Sequence, residues 1–166
     1  AEAVNLKNAG AEFIVIATNT MHLMAPDIEN NTGLKVLHIA DVTGTEILRR
    51  GLKKVLLLGT KFTMEGDFYT KRLENMGIEV IIPNAEDRQI IHNVIYHELI
   101  LGEIKPESKA EYKRIIESMA SEGAQGVILG CTEIPLLIQD ADVSIEVLDT
   151  TLIHSIAAVE YALERN

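Results

Sequence analysis

Gly10-Ala11-Glu12-Phe13-Ile14-Val15-Ile16-Ala17-Thr18-Asn19-Thr20-Met21-His22 is echoed 113 residues later, without a gap, by Gly123-Ala124-Gln125-Gly126-Val127-Ile128-Leu129-Gly130-Cys131-Thr132-Glu133-Ile134-Pro135. Each copy carries a glycine of the kind that ends a helix, a short apolar run, a small residue, then Thr18 or Cys131 followed by two more polar positions. Glycine ends helices because it takes up left-handed backbone without a Cβ penalty. A short continuous run of β-branched and aliphatic residues is what a strand covered on both faces requires. A second echo pairs Val36-Leu37-His38-Ile39-Ala40-Asp41-Val42-Thr43 with Ile145-Glu146-Val147-Leu148-Asp149-Thr150-Thr151, setting Asp41 against Asp149. α/β chains do reuse Gly-Ala-strand phrases, and that is the competing reading. The repeat implies two similar halves with a cleft between them.

Working outward, apolar runs recur at Phe13 to Ala17, Val36 to Ala40, Val55 to Leu58, Val80 to Ile82, Val127 to Leu129 and Ile145 to Leu148. Helical spacing fills the gaps. Tyr69, Leu73 and Met76 precede Gly77; Ile90, Val94, Tyr96 and Ile100 follow; Pro106 opens a segment with Tyr112, Ile115, Ile116 and Met119 that stops at Gly123. Alternating strands and helices predict an α/β fold with parallel sheets. The second half has a strand, Val55 to Leu58, well ahead of Gly123; shifted by the repeat offset, its counterpart falls before residue 1. The expected division is therefore an incomplete first α/β half over residues 1–50, completed by 151–166, and a second half over 51–150, with the N-terminal segment of the first missing.

Composition narrows the function. The 166 residues are 47% hydrophobic but only 4% aromatic, so Ile, Leu, Val and Ala must build the core. Net charge is −10 with no Lys/Arg cluster, which argues against nucleic acid, whose phosphates demand dense basic residues. One cysteine excludes an internal disulfide framework. No apolar run reaches membrane-spanning length and no signal peptide opens the chain, so a cytoplasmic location is expected.

Ligands of open parallel sheets bind beyond the carboxyl ends of the strands. Three loops leave such ends with small and hydroxyl residues: Thr18-Asn19-Thr20, Gly59-Thr60-Lys61-Phe62-Thr63, and Gly130-Cys131-Thr132-Glu133. Each precedes a predicted helix, whose free N–H groups favour carboxylates. Cys131, at such a strand-to-helix junction, is expected to have a lowered thiol pKa; as a buried small hydrophobe it would instead be inert. The five histidines show no metal-type spacing, and no metal is expected. Asp41 and Asp149 read as helix caps as readily as substrate contacts, and Lys61 as an exposed lysine as readily as a carboxylate partner.

Gly130-Cys131-Thr132-Glu133-Ile134, Thr18-Asn19-Thr20-Met21-His22 and Gly59-Thr60-Lys61-Phe62-Thr63-Met64 together resemble the aspartate/glutamate racemase family, over essentially the whole chain. The resemblance implies a PLP-independent amino-acid racemase: two groups face each other across the substrate α-carbon, one removing its proton and the other returning one to the opposite face, without a cofactor. It implies Cys131 and Thr18 as the catalytic pair, with Asn19, Thr20, Thr60, Lys61, Thr63, Thr132 and Glu133 around the substrate. Thr18 stands where the commonest pattern has a first cysteine, as in the branch with broad or L-aspartate/glutamate specificity, so the two directions of proton transfer should be unequal. The family also implies a homodimer, and a last helix from about Thr151 to Arg165 that crosses back to the first half with Ile153, Ile156, Ala157, Val159 and Leu163 on its apolar face. The alternatives are a single-thiol decarboxylase of the same superfamily and a catalytically dead protein that binds a dicarboxylate.

Overall fold

The computed structural model describes residues 1–164. Along the chain run α1 (Glu2–Asn8), β1 (Phe13–Ile14), α2 (Ala25–Thr32), β2 (Lys35–Val36), α3 (Ile39–Arg49), β3 (Lys54–Leu58), α4 (Lys61–Glu65), α5 (Asp67–Asn75), β4 (Glu79–Ile81), α6 (Ala85–His97), α7 (Pro106–Ser121), β5 (Gly126–Leu129), α8 (Ile134–Leu137), β6 (Glu146–Asp149) and α9 (Thr150–Glu164). All strand pairs are parallel, in a two-stranded sheet β1-β2 and a four-stranded sheet β4-β3-β5-β6. The protein is thus a mixed α/β fold with parallel sheets.

The four-stranded sheet is covered on both faces, which is why its strands are continuous in hydrophobicity. Leu56, Leu58, Val127 and Leu129 point into one layer with Ile91, Ile95, Tyr112, Ile115 and Ile116 of α6 and α7. Val55, Leu57, Ile128 and Leu148 point into the other with Ile39, Ala40 and Ile47 of α3 and Tyr69 and Leu73 of α5. Burial of each such aliphatic side chain is worth roughly 1.5–3 kcal/mol. The sequence division puts α3 in the first half, yet its apolar face packs on the large sheet.

The small sheet is much less covered. Its buried core is Ile14, Ala25 and Val36, and Val15 is 41% exposed, whereas Val127 and Ile128 are 0% exposed. Its strands end sooner than expected: β1 stops at Ile14 rather than Ala17, and β2 at Val36 because the His38 side chain caps α3 by accepting the Ala40 N–H. The two glycines of the repeat do correspond. Gly10 and Gly123 each follow a helix, with φ of 94° and 97°. The second echo holds less well: Asp149 caps α9, accepting from the Thr151 and Leu152 N–H groups, but Asp41 lies inside α3 and pairs with Arg72 at 2.7 Å.

α9 reaches the small sheet through Tyr161 and not through the apolar face expected of it, whose Ile156, Val159 and Leu163 are exposed. Its Tyr161 ring meets Phe13 edge-on at 5.0 Å, and the Lys35 ammonium lies 4.8 Å over the Tyr161 ring. Arg165 lies outside the described residues. Leu152, Ile156, Val159 and Leu163, on the outer side of α9, are exposed.

Close approach at the strand ends makes two glycines unequal in cost. A Cβ on Gly130 would sit 2.6 Å from the Leu58 carbonyl oxygen, which is backbone and cannot move aside. One on Gly44 would meet side chains alone, the flexible tip of Met76 and a methyl of Leu73 at 3.0 Å, and alanine gains helix propensity there. Gly130→Ala should therefore lose about 1–3 kcal/mol, and Gly44→Ala much less; urea midpoints of the two variants against wild type measure the difference.

Candidate active site

Chain order and sheet order locate the site. From β3 the chain passes to β4 on one side, and after β5 it continues to β6 on the other. Directly after β3, α4 packs Met64 on the face that α8 covers after β5, and α5 then crosses to the other face. The carboxyl ends of β3 and β5 therefore flank a topological switch point, where a crevice opens. The loops there are Gly59-Thr60 and Gly130-Cys131. A cleft of about 350 Å³ lies against them, lined by Thr18, Asn19, Thr20, Met21, Thr60, Ile95, Tyr96, Ile100, Gly130, Cys131, Thr132 and Glu133. That volume suits a small molecule.

Cys131 donates its thiol proton to Glu133 Oε2 at 2.9 Å. Burial pushes the thiol up, and the Glu133 carboxylate beside it adds to the rise, to about 12. The Thr132 and Glu133 backbone N–H groups act in the opposite direction but are outweighed. This corrects the lowered thiol expected from a strand-to-helix junction. Here the helix is the four-residue α8, which starts only at Ile134, so its dipole is short and displaced from the sulfur. Burial also opposes ionisation of Glu133, yet hydrogen bonds from the Cys131 thiol and Thr132 hydroxyl hold its carboxyl below the ordinary value. The resting pair is a neutral thiol on an ionised carboxylate.

The Thr18 loop, which lines the same cleft, is held at several points. Thr18 is exposed, and its carbonyl accepts from His22 Nδ1 at 2.8 Å. Asn19, 2% exposed, donates through Nδ2 to Thr150 Oγ1 at 3.1 Å. The hydroxyls of Thr20, Thr63 and Thr60 form a chain with separations of 3.1 and 3.3 Å. Thr60 also caps α4, accepting the Thr63 N–H.

Of the residues expected at the site, Thr18, Asn19, Thr20, Thr60, Cys131, Thr132 and Glu133 line one cleft. Thr63 stands behind it, fully buried, linking Thr20 to Thr60. Lys61 stands apart: its ammonium bonds Gln89 and it borders a separate groove with Phe62, Glu65 and His92. Sequence reasoning missed the apolar wall of Ile95, Tyr96 and Ile100. Tyr96 and Ile100 sit where α6 and the turn after it should show a plain helical repeat, but both are exposed into the cleft.

It also missed a cluster of buried histidines. His22 lies between His38 and His154, with ring centroids 4.6 and 5.4 Å apart, and all three are under 5% exposed. No spacing in sequence could reveal this, since the three belong to three different elements. The proton on each follows from its partners. His154 Nε2 donates to the Leu37 carbonyl and His22 Nδ1 to the Thr18 carbonyl, while His38 Nδ1 accepts the Ala40 N–H. Burial lowers all three; in His38, burial and then the nearby Arg72 and His22 lower it to about 3.

Comparison with known proteins identifies the family and supports the fold. The sequence profile described as Asp/Glu/hydantoin racemase matches residues 1–158. The chain is 27% identical over 153 residues to the broad specificity amino-acid racemase of Bacillus subtilis, covering 90% of this chain and 64% of that protein. Its fold superposes with a TM-score of 0.92 on a Yersinia pestis protein described as an Asp/Glu racemase candidate, 52% identical over 97% of this chain and 70% of the other. With an aspartate racemase homologue from Pyrococcus horikoshii the TM-score is 0.87 at 46% identity, covering 96% and 70%. The chain thus spans just under two thirds of the length of the curated Bacillus relative.

The neutral histidines give the fold a pH dependence. Above 6.5 neither the folded nor the unfolded state protonates them. As pH falls below 6.5 the unfolded chain takes up protons that folded His38 refuses until about 3. Stability is therefore highest above 6.5 and declines across that window, at about 1.4 kcal/mol per pH unit for one such group. His38→Asn, which keeps a capping acceptor, should flatten the decline by about that slope; urea titrations between pH 7 and 4 measure it.

Proposed function

The chain belongs to the Asp/Glu/hydantoin racemase family, and on that premise we propose that it inverts the α-carbon of aspartate, glutamate or a related amino acid by proton transfer from two sides, without a cofactor. The observation that carries this reading is the Cys131–Glu133 pair opening on the same cleft as Thr18. Inversion at one carbon needs a proton acceptor on one face and a donor on the other.

A thiol held neutral cannot serve as a base while it keeps its proton, and Glu133 resolves this. The thiol proton moves to the Glu133 carboxylate and the α-proton to sulfur. The substrate carbanion then takes a proton on its other face from the Thr18 hydroxyl; water reprotonates the alkoxide, and the hydroxide formed takes the proton from Glu133, which restores a neutral thiol on an ionised carboxylate. In the reverse direction a hydroxyl must accept the α-proton. It is a far poorer base, so the two enantiomers turn over unequally. Thr20, Thr60, Thr132 and Glu133 line the cleft, and we assign to their hydroxyls and to the backbone N–H groups of the Thr132-Glu133 turn the task of receiving the substrate carboxylate. Asn19 completes the lining on the Thr18 side.

Incubating the protein with L- and D-aspartate, glutamate and a panel of neutral and basic amino acids in D2O, and following deuterium at Cα by NMR, tests the reading. Cys131→Ala should abolish exchange from both enantiomers, a fall of roughly 100- to 10,000-fold. Thr18→Ala should suppress racemisation yet keep exchange from the enantiomer whose α-proton faces Cys131. Full exchange in Cys131→Ala would reverse the roles. Release of carbon dioxide from a malonate without any α-exchange would indicate the decarboxylase instead.

A further inference from the structure

We propose that Thr150 is a positioning residue of the cleft: its hydroxyl, between Asn19 and Leu129, fixes which atom of the Asn19 carboxamide is left for substrate and holds the Thr18 loop in register with Cys131. The substrate part of this rests on the racemase reading; the bridge itself does not.

Proton accounting fixes the bridge. Thr150 is 0% exposed and is the first residue of α9. Its Oγ1 lies 2.8 Å from the Leu129 carbonyl oxygen, which can only accept, so the hydroxyl proton goes there. Oγ1 then has only lone pairs to offer Asn19, 3.1 Å away, and Asn19 must turn its NH2 group toward it. The two ends of a carboxamide are usually hard to tell apart; here the hydroxyl chooses. The choice leaves Asn19 Oδ1 buried and without a hydrogen-bond partner among the described residues, in a residue that lines the cleft. A buried acceptor in that state is unfavourable, and it is matched by a donor such as the α-ammonium of an amino acid. Were the amide reversed, Asn19 would present N–H groups and repel that ammonium.

The same two bonds set spacing. Asn19 follows Thr18 directly, and Leu129 lies two residues before Cys131. The bridge therefore connects the loops carrying the two proton-transfer groups through one side chain of α9. The Thr20–Thr63–Thr60 chain is a second tie between the same loop and the end of β3. With both in place the Thr18 loop cannot slide along the strand ends.

Thr150→Val removes donor and acceptor with little change of shape, and Thr150→Ser restores both. In the 166-residue chain without ligand, the Asn19 side-chain NH2 protons should exchange slowly with solvent in the wild type and Thr150→Ser. In Thr150→Val they should exchange at least tenfold faster by 15N NMR. In the Cα deuterium assay Thr150→Val should raise KM at least fivefold and change the ratio of L to D rates, with Thr150→Ser within threefold of wild type. A loss of folded protein alone would lower the apparent kcat and leave KM and the ratio unchanged, and that result overturns the proposal. So does an Asn19 amide that stays protected in Thr150→Val, or one that exchanges freely in the wild type. If Thr150→Val does not fold, wild type and Thr150→Ser decide by the amide measurement. Absence of α-exchange from every amino acid in the wild type would defeat the racemase reading and leave the amide measurement to judge the bridge.

Discussion

The carboxyl ends of β3 and β5 lie so close that only glycine fits between them, and the cleft follows from that contact. The Gly130 N–H donates to the Leu58 carbonyl at 2.7 Å, and a Cβ on Gly59 would come within 3.0 Å of the Gly130 carbonyl oxygen. Two strands locked side by side deliver two loops to one place. The chain leaves β3 for β4 on one side and β5 for β6 on the other, so the strand order reverses between them and a crevice opens above the two ends. Thr60 and Cys131 become neighbours of one crevice although 71 positions separate them in sequence. Any residue larger than glycine at 130 would part the strands and, with them, the residues that line the crevice.

Charge in that crevice is arranged around sulfur rather than around a helix dipole. The strongest influence on Cys131 is burial, and Glu133 reinforces it, so the thiol keeps its proton at neutral pH. The carboxylate that raises the thiol is within hydrogen-bond distance of its proton. The opposite side has no equivalent. The Thr18 carbonyl is engaged with His22, and its own side chain is exposed. The two sides of the cleft are therefore chemically unlike, though the sequences that form them are related by repeat.

How much of this was legible in sequence depended on whether the signal was local. The four strands of the large sheet and the helices around them follow from runs such as Val55 to Leu58 and repeats such as Tyr69, Leu73 and Met76, because each reports its own burial. Gly10 and Gly123 were legible for the same reason. The loops with Thr18, Thr60 and Cys131 could be placed at strand ends, and the structure brings them together. What failed was non-local. The Cys131 thiol was misjudged because its ionisation depends on Glu133 and on burial more than on the turn it occupies. Asp41 was read against Asp149, but Arg72, 31 residues on, claims it. The histidine cluster and Thr150 are invisible in one dimension, since they exist only where α9 meets loops from the far end of the chain.

That meeting explains how a lobe with so small a core keeps its place. Ile14, Ala25 and Val36 alone bury too little apolar surface to hold β1, β2 and α2 against the loss of backbone freedom. The missing support comes from α9. Thr150, His154 and Tyr161 recur at intervals of four and seven, so they share one side of that helix. Each reaches a different part of the small lobe: Asn19 in the cleft loop, the Leu37 carbonyl after β2, and Phe13 in β1. The helix begins directly after β6, inside the large sheet's framework, with Asp149 capping it. A rigid element anchored in one lobe thus specifies three points of the other, and three points determine an orientation. The position of Thr18 relative to Cys131 is accordingly a property of α9 as much as of either loop.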